Sequence, residues 1–251
     1  MPQLQRFAGR GGRMKKQQTW YNKIGFFSNP FSIKPAAFHD RLSGYEKMLR
    51  EINSLIKTSN IIFLEGDYGT GKTTILKKII NMFRGKKKVI YYSLDQTEKT
   101  LDLDMLLHGR YGFIGRLFRI KPKGMILLVD EATNLNSKDI NNIKDYFEKD
   151  YFKSIILAGG RIGSAIHAKE LKSLVGKKVF TLGKASKEDA ISMVRGRIGK
   201  LKILSDDVIE KIYNYSQNPR DMLKNTEDVL RHAVENDSME VSADDIKAVL
   251  G

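Results

Sequence analysis

GDYGTGKT, residues 66–73, lies between an apolar segment at residues 61–65 and an amphipathic segment at residues 73–83. It fits the pattern G-x-x-x-x-G-K-[S/T] at every fixed position. Its glycines allow the backbone to wrap around a phosphate chain with the amide N–H groups pointing inward. The N-terminus of the helix that follows adds the positive end of its dipole to the same anion site. This strand, loop and helix together predict that residues 66–73 form a phosphate-binding loop, which we call the glycine loop.

In such a loop each residue type has its own part in holding a nucleotide. We expect the Lys72 ammonium to reach the β- and γ-phosphates of ATP, and the Thr73 hydroxyl to ligate Mg²⁺. The predicted nucleotide-binding residues are Gly66, Asp67, Tyr68, Gly69, Thr70, Gly71, Lys72, Thr73 and Thr74.

A second candidate segment, residues 125–129, is entirely apolar and ends in Asp130 and Glu131. An aspartate at the carboxyl end of a strand lies where parallel α/β sheets bind their ligands. We therefore expect Asp130 to ligate Mg²⁺ together with Thr73. Glu131 is predicted to act as the general base that polarises the attacking water. Without the glycine loop, the same two residues would indicate only a strand that enters a turn.

Strands and helices alternate through the middle of the chain. The predicted strands cover residues 61–65, 88–93, 125–129, 154–158 and 178–182. Because these strands are apolar and separated by helices, they predict an α/β fold with a parallel sheet covered on both faces. After residue 185 only helix-start signals recur, which predicts a small all-α lid domain.

These patterns divide the chain into a flexible basic arm at residues 1–19, an α/β core at 20–184 and the helical lid at 185–251. The aromatic segment at 20–38 contains too many turn residues for a helix, and we expect it to pack along a domain surface.

Composition limits the class of protein. The 251 residues contain no cysteine, which excludes disulfides and thiolate metal sites and favours the cytoplasm. The sequence has no apolar run long enough to span a membrane and no secretory signal, so neither is expected.

The net charge of +15 predicts attraction to polyanions, most commonly nucleic acid. Basic residues are concentrated before Asp40, the first acidic residue, and again around residues 110–123, where aromatic residues alternate with them. The candidate nucleic-acid contacts are Arg6, Arg10, Arg13, Lys15, Lys16, Arg116 and Arg119. The alternatives are a solvated tail without a partner and, in the second segment, aromatic residues that belong to the core.

The glycine loop, the strand that ends in Asp130 and Glu131, and the predicted helical lid together resemble a AAA+ ATPase. They are most similar to the origin-recognition and initiator ATPases of archaea and to related small archaeal ATPases. The resemblance implies that Arg220, in Asn218-Pro219-Arg220, is the sensor-2 arginine that reaches the γ-phosphate and takes part in catalysis with Lys72 and Glu131. A solvated arginine at a helix start is the alternative.

The same resemblance implies that residues 29–31 and 42–46 pack against the adenine. The family usually has Gly-Arg-Glu where this chain has Gly44, Tyr45 and Glu46, so Tyr45 is a departure.

Two further departures concern hydrolysis. The strand at 154–158 ends in Gly159-Gly160, where the family usually has a polar sensor-1 residue, and Ser154 at the strand's start is poorly placed for that role. There is no clear arginine finger before the fifth predicted strand. The candidate cations are Arg161, Lys169, Lys172, Lys177 and Lys178. We therefore expect slow hydrolysis, because an arginine finger accelerates related enzymes by orders of magnitude.

The expected function is an ATPase that couples Mg-ATP binding to DNA binding or to ATP-dependent assembly, with itself or with a protein client. The alternative is a nucleotide-dependent protein-interaction switch without a direct role on DNA. Archaeal initiators carry a winged-helix domain after the lid. Since this sequence ends at Gly251, origin binding by this chain alone is not expected.

Overall fold

A five-stranded parallel sheet forms the centre of the molecule in the computed structural model, which describes residues 19–32, 44–83, 88–94, 101–109 and 121–251. The strands are β1 (Ile61–Gly66), β2 (Val89–Ser93), β3 (Met125–Asp130), β4 (Phe152–Gly159) and β5 (Val179–Leu182). Their order is β2-β3-β4-β1-β5, and every neighbouring pair is parallel. The predicted α/β fold is therefore confirmed. Because the strands are parallel, the carboxyl ends of β1 and β3 lie on the same side of the sheet.

Helices cover both faces of this sheet. One face holds α2 (Glu46–Lys57) and α3 (Lys72–Met82), and the other holds α4 (Leu103–His108), α5 (Ser137–Glu148) and α6 (Ala168–Val175). Ile62 and Leu64 of β1 belong to the first cluster, whereas Phe63 belongs to the second. Because successive side chains of a strand point to opposite faces, covering both faces requires the continuous apolar run seen in the sequence.

After β5 the described chain forms the helices α7 (Lys187–Ile198), α8 (Asp206–Tyr213), α9 (Pro219–Glu235) and α10 (Ala243–Leu250), which share a core of their own. Each helix begins at a side chain that accepts a backbone N–H: Ser186, Ser205, Asn218 and Ser242. Throughout the described ranges, no helix combines the length and apolarity needed to cross a membrane.

The aromatic segment at the beginning of the described chain differs from the prediction in two ways. It contains a short helix, α1 (Trp20–Lys23), where none was expected. Trp20 and Phe31 are buried in the core of the C-terminal helices instead of lying along a surface, and Arg197 of α7 donates to the carbonyl of Pro30 at 3.0 Å. The segment folds in this way because burying two large aromatic rings stabilises it by more than its weak helix propensity costs. The division at residues 19/20 and 184/185 stays a prediction.

Candidate functional site

The glycine loop runs from the end of β1 to the start of α3, as predicted. Gly69 and Gly71 have φ of 87° and 98°, a region that favours glycine, so the loop conformation requires them. The Lys72 side chain is buried, and its Nζ donates to the carbonyls of Gly66 at 2.7 Å and Asp67 at 3.1 Å. The loop's own carbonyl oxygens thus hold the ammonium beside the turn that would surround a phosphate chain.

Asp130, at the end of β3, lies next to this loop. Its Oδ2 accepts the Thr73 hydroxyl at 2.7 Å, and the carboxylate is almost fully buried. The structure therefore brings together the two residues that were predicted to ligate Mg²⁺. A hydroxyl and a carboxylate are the oxygen donors that Mg²⁺ prefers, with water and phosphate oxygens completing its shell. No cluster of three or more His, Cys, Asp or Glu side chains able to hold a metal occurs in the described ranges.

Tyr91 of β2 is a member of this site that the sequence analysis missed. Its hydroxyl donates to the same Asp130 Oδ2 at 3.1 Å. Burial, and then the charge of Asp130, raise the pKa of Tyr91 well above its ordinary value, so the hydroxyl stays protonated as a donor. Only the pairing of β2 with β3, in which Ser93 is opposite Asp130, reveals this contact.

Glu131 has an unusual backbone conformation. Its φ is 58°, in the left-handed region, and its side chain is exposed beside the site. The Glu131 N–H donates to Asp130 Oδ1 at 3.1 Å, which helps to fix the turn. A non-glycine residue in this region costs free energy, and such strain is concentrated at functional sites.

This strain predicts a stability difference between two variants. Glu131→Gly is expected to unfold at a higher temperature than Glu131→Ala, although both lack the carboxylate, because alanine keeps a left-handed penalty of about 1 kcal/mol. For a chain of this size that difference corresponds to about 2–4 °C in melting temperature. Thermal denaturation followed by circular dichroism measures it. Equal melting temperatures would mean that the turn relaxes without cost.

The first turn of α9 contacts the glycine loop directly. Asn218 Nδ2 donates to the Tyr68 carbonyl at 2.7 Å, and Asn218 Oδ1 accepts the Arg220 N–H at 3.0 Å. The Arg220 guanidinium carbon lies 4.8 Å from the centre of the Tyr68 ring, a cation–π contact. A Cβ at Gly69 would lie 2.5 Å from Asn218 Oδ1, so this close approach also requires glycine. The structure brings Arg220 to the loop, and it adds Asn218, whose part had not been predicted.

The start of α2 contacts the loop from another direction. The Tyr45 hydroxyl donates to the Thr70 carbonyl at 3.0 Å, and burial raises the pKa of Tyr45. Asn29 instead donates to Glu227 of α9 at 2.6 Å. Of the segments predicted to pack against adenine, therefore, one contacts the glycine loop and the other contacts the C-terminal helices. Residues 42 and 43 lie outside the described residues.

The end of β4 has a polar neighbour although its own residues are glycines. A Cβ at Gly159 would lie 3.0 Å from Thr133 Cγ2 and 3.3 Å from Thr133 Oγ1. Thr133, in the turn after Glu131, thus fills the space that a larger residue at Gly159 would occupy. Ser154 is fully buried at the start of β4, where its hydroxyl donates to the Ile56 carbonyl at 2.9 Å, so it is a structural residue.

The candidate cations for hydrolysis are separated by the fold. Arg161 follows β4 at the carboxyl edge of the sheet, and its Nε lies 3.7 Å from Asp67 Oδ1. Lys177 and Lys178 directly precede β5 and lie at the opposite, amino edge. Lys169 and Lys172 belong to α6. Of the five, Arg161 is the one that pairs with a residue of the glycine loop.

The predicted nucleic-acid contacts fall in segments that the structure does not describe. Arg6, Arg10, Arg13, Lys15 and Lys16 precede residue 19, and Arg116 and Arg119 belong to residues 110–120. Their part in binding stays a prediction.

Comparisons with known proteins give a domain family for the part of the chain that contains this site. A family model described as "AAA domain" matches residues 58–182, which include β1, the glycine loop, Asp130 and β5. No curated protein sequence matches the chain.

Several solved structures are similar to the chain. Cdc6p from Pyrobaculum aerophilum superposes with a TM-score of 0.64 and 17% identity over 88% of this chain and 70% of that chain. The Aeropyrum pernix Orc1 protein, solved in complex with DNA, gives 0.65 and 14% over 88% and 68%. Domain III of the Thermotoga maritima replication initiation protein DnaA gives 0.58 and 21% over 83% and 91%. At these identities the likeness shows a common fold.

Proposed function

This chain is a AAA+ P-loop protein with its AAA domain at residues 58–182, and we propose that it binds ATP with Mg²⁺ and hydrolyses it slowly. The observation that carries this proposal is the 2.7 Å hydrogen bond between Thr73 and Asp130, formed beside the loop that holds Lys72. A phosphate-binding loop alone would fit many nucleotide enzymes. The acidic strand end beside it favours hydrolysis.

Each described residue of the site has its own role in the proposed reaction. Lys72 exchanges its bonds to the Gly66 and Asp67 carbonyls for oxygens of the β- and γ-phosphates. Thr73 and Asp130 would hold Mg²⁺, and the ion would supply positive charge that offsets the charge of the phosphates. Glu131 accepts a proton from water as the water oxygen bonds to the γ-phosphorus, and the bond from that phosphorus to the bridging oxygen of ADP breaks.

We propose that ATP controls binding to DNA. The net charge of +15 favours polyanions, and a structure of similar fold, the Aeropyrum pernix Orc1 protein, was solved in complex with DNA. Phosphate contacts by the basic arm would give affinity without base specificity and a steep dependence on salt. The lack of cysteine agrees with the cytoplasm as the place of action.

A protein-interaction switch is the second candidate function. The contacts that favour it are those of Asn218 and Arg220 with Tyr68, because they couple the C-terminal helices to the loop that would hold the phosphates. Nucleotide binding that rearranges the loop would change how these helices pack against it. A protein partner could then read the nucleotide state from the surface.

The test is steady-state ATP hydrolysis with and without double-stranded DNA over a series of salt concentrations. DNA stimulation that fades with salt, and that is absent in Lys72→Ala and Glu131→Gln, supports the DNA-coupled ATPase. Hydrolysis that DNA leaves unchanged, together with no salt-sensitive DNA binding, favours the protein switch. A wild-type chain that binds no ATP would overturn both.

Tyr91 gives a prediction about the metal requirement. Tyr91→Phe is expected to raise the Mg²⁺ concentration for half-maximal hydrolysis by about tenfold, because Asp130 loses a hydrogen bond that orients it. A Mg²⁺ titration of the ATPase rate measures the shift. The matched control is Tyr151→Phe, which removes the hydroxyl of a residue just before β4, at the amino end of that strand. An unchanged Mg²⁺ requirement would show that Asp130 is oriented without Tyr91.

A further inference from the structure

A groove of about 340 Å³ runs between α4 and α5, and none of the described residues that line it belongs to the glycine loop. Its charged lining residues are three aspartates and one lysine: Asp102, Asp104, Asp139 and Lys138. This excess of carboxylates is local, because the chain as a whole carries a net charge of +15. A concave surface dominated by one sign of charge concentrates ions of the opposite sign, so the groove favours cations.

Asp139, in the first turn of α5, has a buried oxygen without a donor. The side chain is only 2% exposed, and its Oδ1 accepts the Leu101 N–H at 3.2 Å. Within the described part of the chain, no group donates to its Oδ2. Buried polar atoms in folded proteins almost always have a hydrogen-bond partner, and a buried carboxylate oxygen without one is costly. The Asp139 Oδ2 therefore indicates a donor that comes from outside the described residues.

The other end of the groove already binds a cation of this chain. Lys121 Nζ lies 2.5 Å from Asp104 Oδ1 and 5.3 Å from the centre of the Tyr146 ring, which also lines the groove. The hydrogen bonds from Lys121, and then from Tyr146, lower the pKa of Asp104, so this carboxylate is ionised at neutral pH. An internal ammonium thus satisfies Asp104, whereas no described cation does the same for Asp139.

The donors that the groove requires fit a guanidinium group better than a metal ion. The described residues contain no cluster of three or more His, Cys, Asp or Glu side chains able to hold a metal. A guanidinium is planar, carries several N–H donors and is weakly hydrated, so it enters a partly buried acidic site more readily than an ammonium does. It can donate to the buried Asp139 and to Asp102 at the exposed rim, because the Leu101 N–H bond holds the backbone before Asp102 against Asp139.

We propose that this groove binds the guanidinium group of an arginine that is carried by a partner polypeptide. Asp139 is the buried acceptor, and Asp102 is the acceptor at the rim. A volume of about 340 Å³ is at the lower end of ligand sites and suits one long side chain. Because Asp102 and Asp104 are exposed, a polypeptide backbone can lie over the groove while its arginine enters. The site goes beyond the proposed ATPase function, and binding there does not require ATP.

Peptide binding to the full chain, without nucleotide, tests the proposal. The probe is acetyl-Gly-Arg-Gly-amide, and its matched control is the same peptide with citrulline, which has the shape of arginine without its charge. Nuclear magnetic resonance of the ¹⁵N-labelled chain follows the Leu101 amide, which donates to the Asp139 carboxylate. We expect the arginine peptide to shift this signal, and the citrulline peptide to bind at least about tenfold more weakly, because charged hydrogen bonds contribute more than neutral ones.

Variants of the two aspartates identify the acceptors. Asp139→Asn keeps an oxygen for the Leu101 N–H but removes the charge and the second acceptor, and is expected to weaken peptide binding at least about tenfold. Asp102→Asn still caps α4, where the side chain accepts the Met105 N–H, and is expected to have a smaller effect because solvent screens this charge. The matched control is Glu148→Gln on the same helix, whose side chain pairs with Lys144 outside the groove.

The remaining outcomes each contradict part of the proposal. Equal binding of the arginine and citrulline peptides, or binding that Asp139→Asn leaves unchanged, would overturn the cation site. Binding of ethylguanidinium without binding of the peptide would overturn the polypeptide as the occupant. If neither probe binds, water satisfies the Asp139 oxygen and the proposal is wrong. A melting curve for Asp139→Asn within a few degrees of the wild type shows that lost binding is not lost folding. Since ATP is absent throughout, these results do not depend on the proposed ATPase function.

Discussion

Glu131→Gln is expected to bind ATP with wild-type affinity and to hydrolyse it about 10²- to 10⁴-fold more slowly, the range that general-base catalysis contributes. The substitution keeps the size of the side chain and the left-handed backbone but removes the proton acceptor. Because the Glu131 side chain is exposed, the change leaves no buried partner unsatisfied. Single-turnover hydrolysis and equilibrium binding, measured on the same preparation, separate the two effects.

The matched control is Glu148→Gln, at the C-terminal end of α5, which removes the same charge from a surface position. Glu131→Gln with near-wild-type turnover would contradict the assignment. The water would then be activated by another group, such as Asp130, or by the γ-phosphate itself. Loss of ATP binding in Glu131→Gln would instead show that Glu131 contributes to binding the nucleotide.

The parts of the site that follow from local sequence were predictable. The glycine loop has a fixed spacing because its backbone must surround a phosphate chain, and the strand that ends in Asp130 is recognisable because burial on both faces makes it apolar. Parallel topology then brings the carboxyl ends of the strands to one edge. For this reason the proximity of Thr73 and Asp130 follows from the sequence pattern alone.

The parts that depend on packing between distant segments were not predictable. Tyr91 contacts Asp130 only because β2 is the neighbour of β3, and Thr133 faces Gly159 only because the turn after β3 covers the end of β4. The resemblance implied that Arg220 reaches the γ-phosphate, but its cation–π contact with Tyr68 depends on the position of α9, which no local pattern encodes.

The short helix at Trp20 was missed for a related reason. Its local residues favour turns, and its stability comes from burial among helices that lie some two hundred residues further along the sequence. Whether such a segment forms a helix depends mainly on burial against the rest of the chain, because helix propensity gives only a weak preference.

Lys72→Ala is expected to weaken ATP binding by about 10- to 100-fold, since hydrogen bonds to charged groups contribute about 1.5–3 kcal/mol and 1.4 kcal/mol corresponds to a factor of ten. The effect on ATP should exceed the effect on AMP, because the ammonium is expected to contact the β- and γ-phosphates. Equilibrium binding of ATP, ADP and AMP to the variant measures this gradient. Hydrolysis should fall further than binding, because the charge on the phosphates increases during the reaction.

The Lys72 ammonium also satisfies two carbonyls of the loop, so its removal has a structural consequence. The Gly66 and Asp67 carbonyls then turn toward water, and the loop loses its internal support. A melting curve that stays within a few degrees of the wild type would show that the fold survives this change. Lys57→Ala, at the exposed end of α2, controls for the loss of one positive charge. Equal weakening for ATP and AMP would contradict a phosphate contact and would attribute the effect to the shape of the loop. A gradient that grows with the number of phosphates would instead show that the ammonium binds the end of the nucleotide where Glu131 is proposed to act.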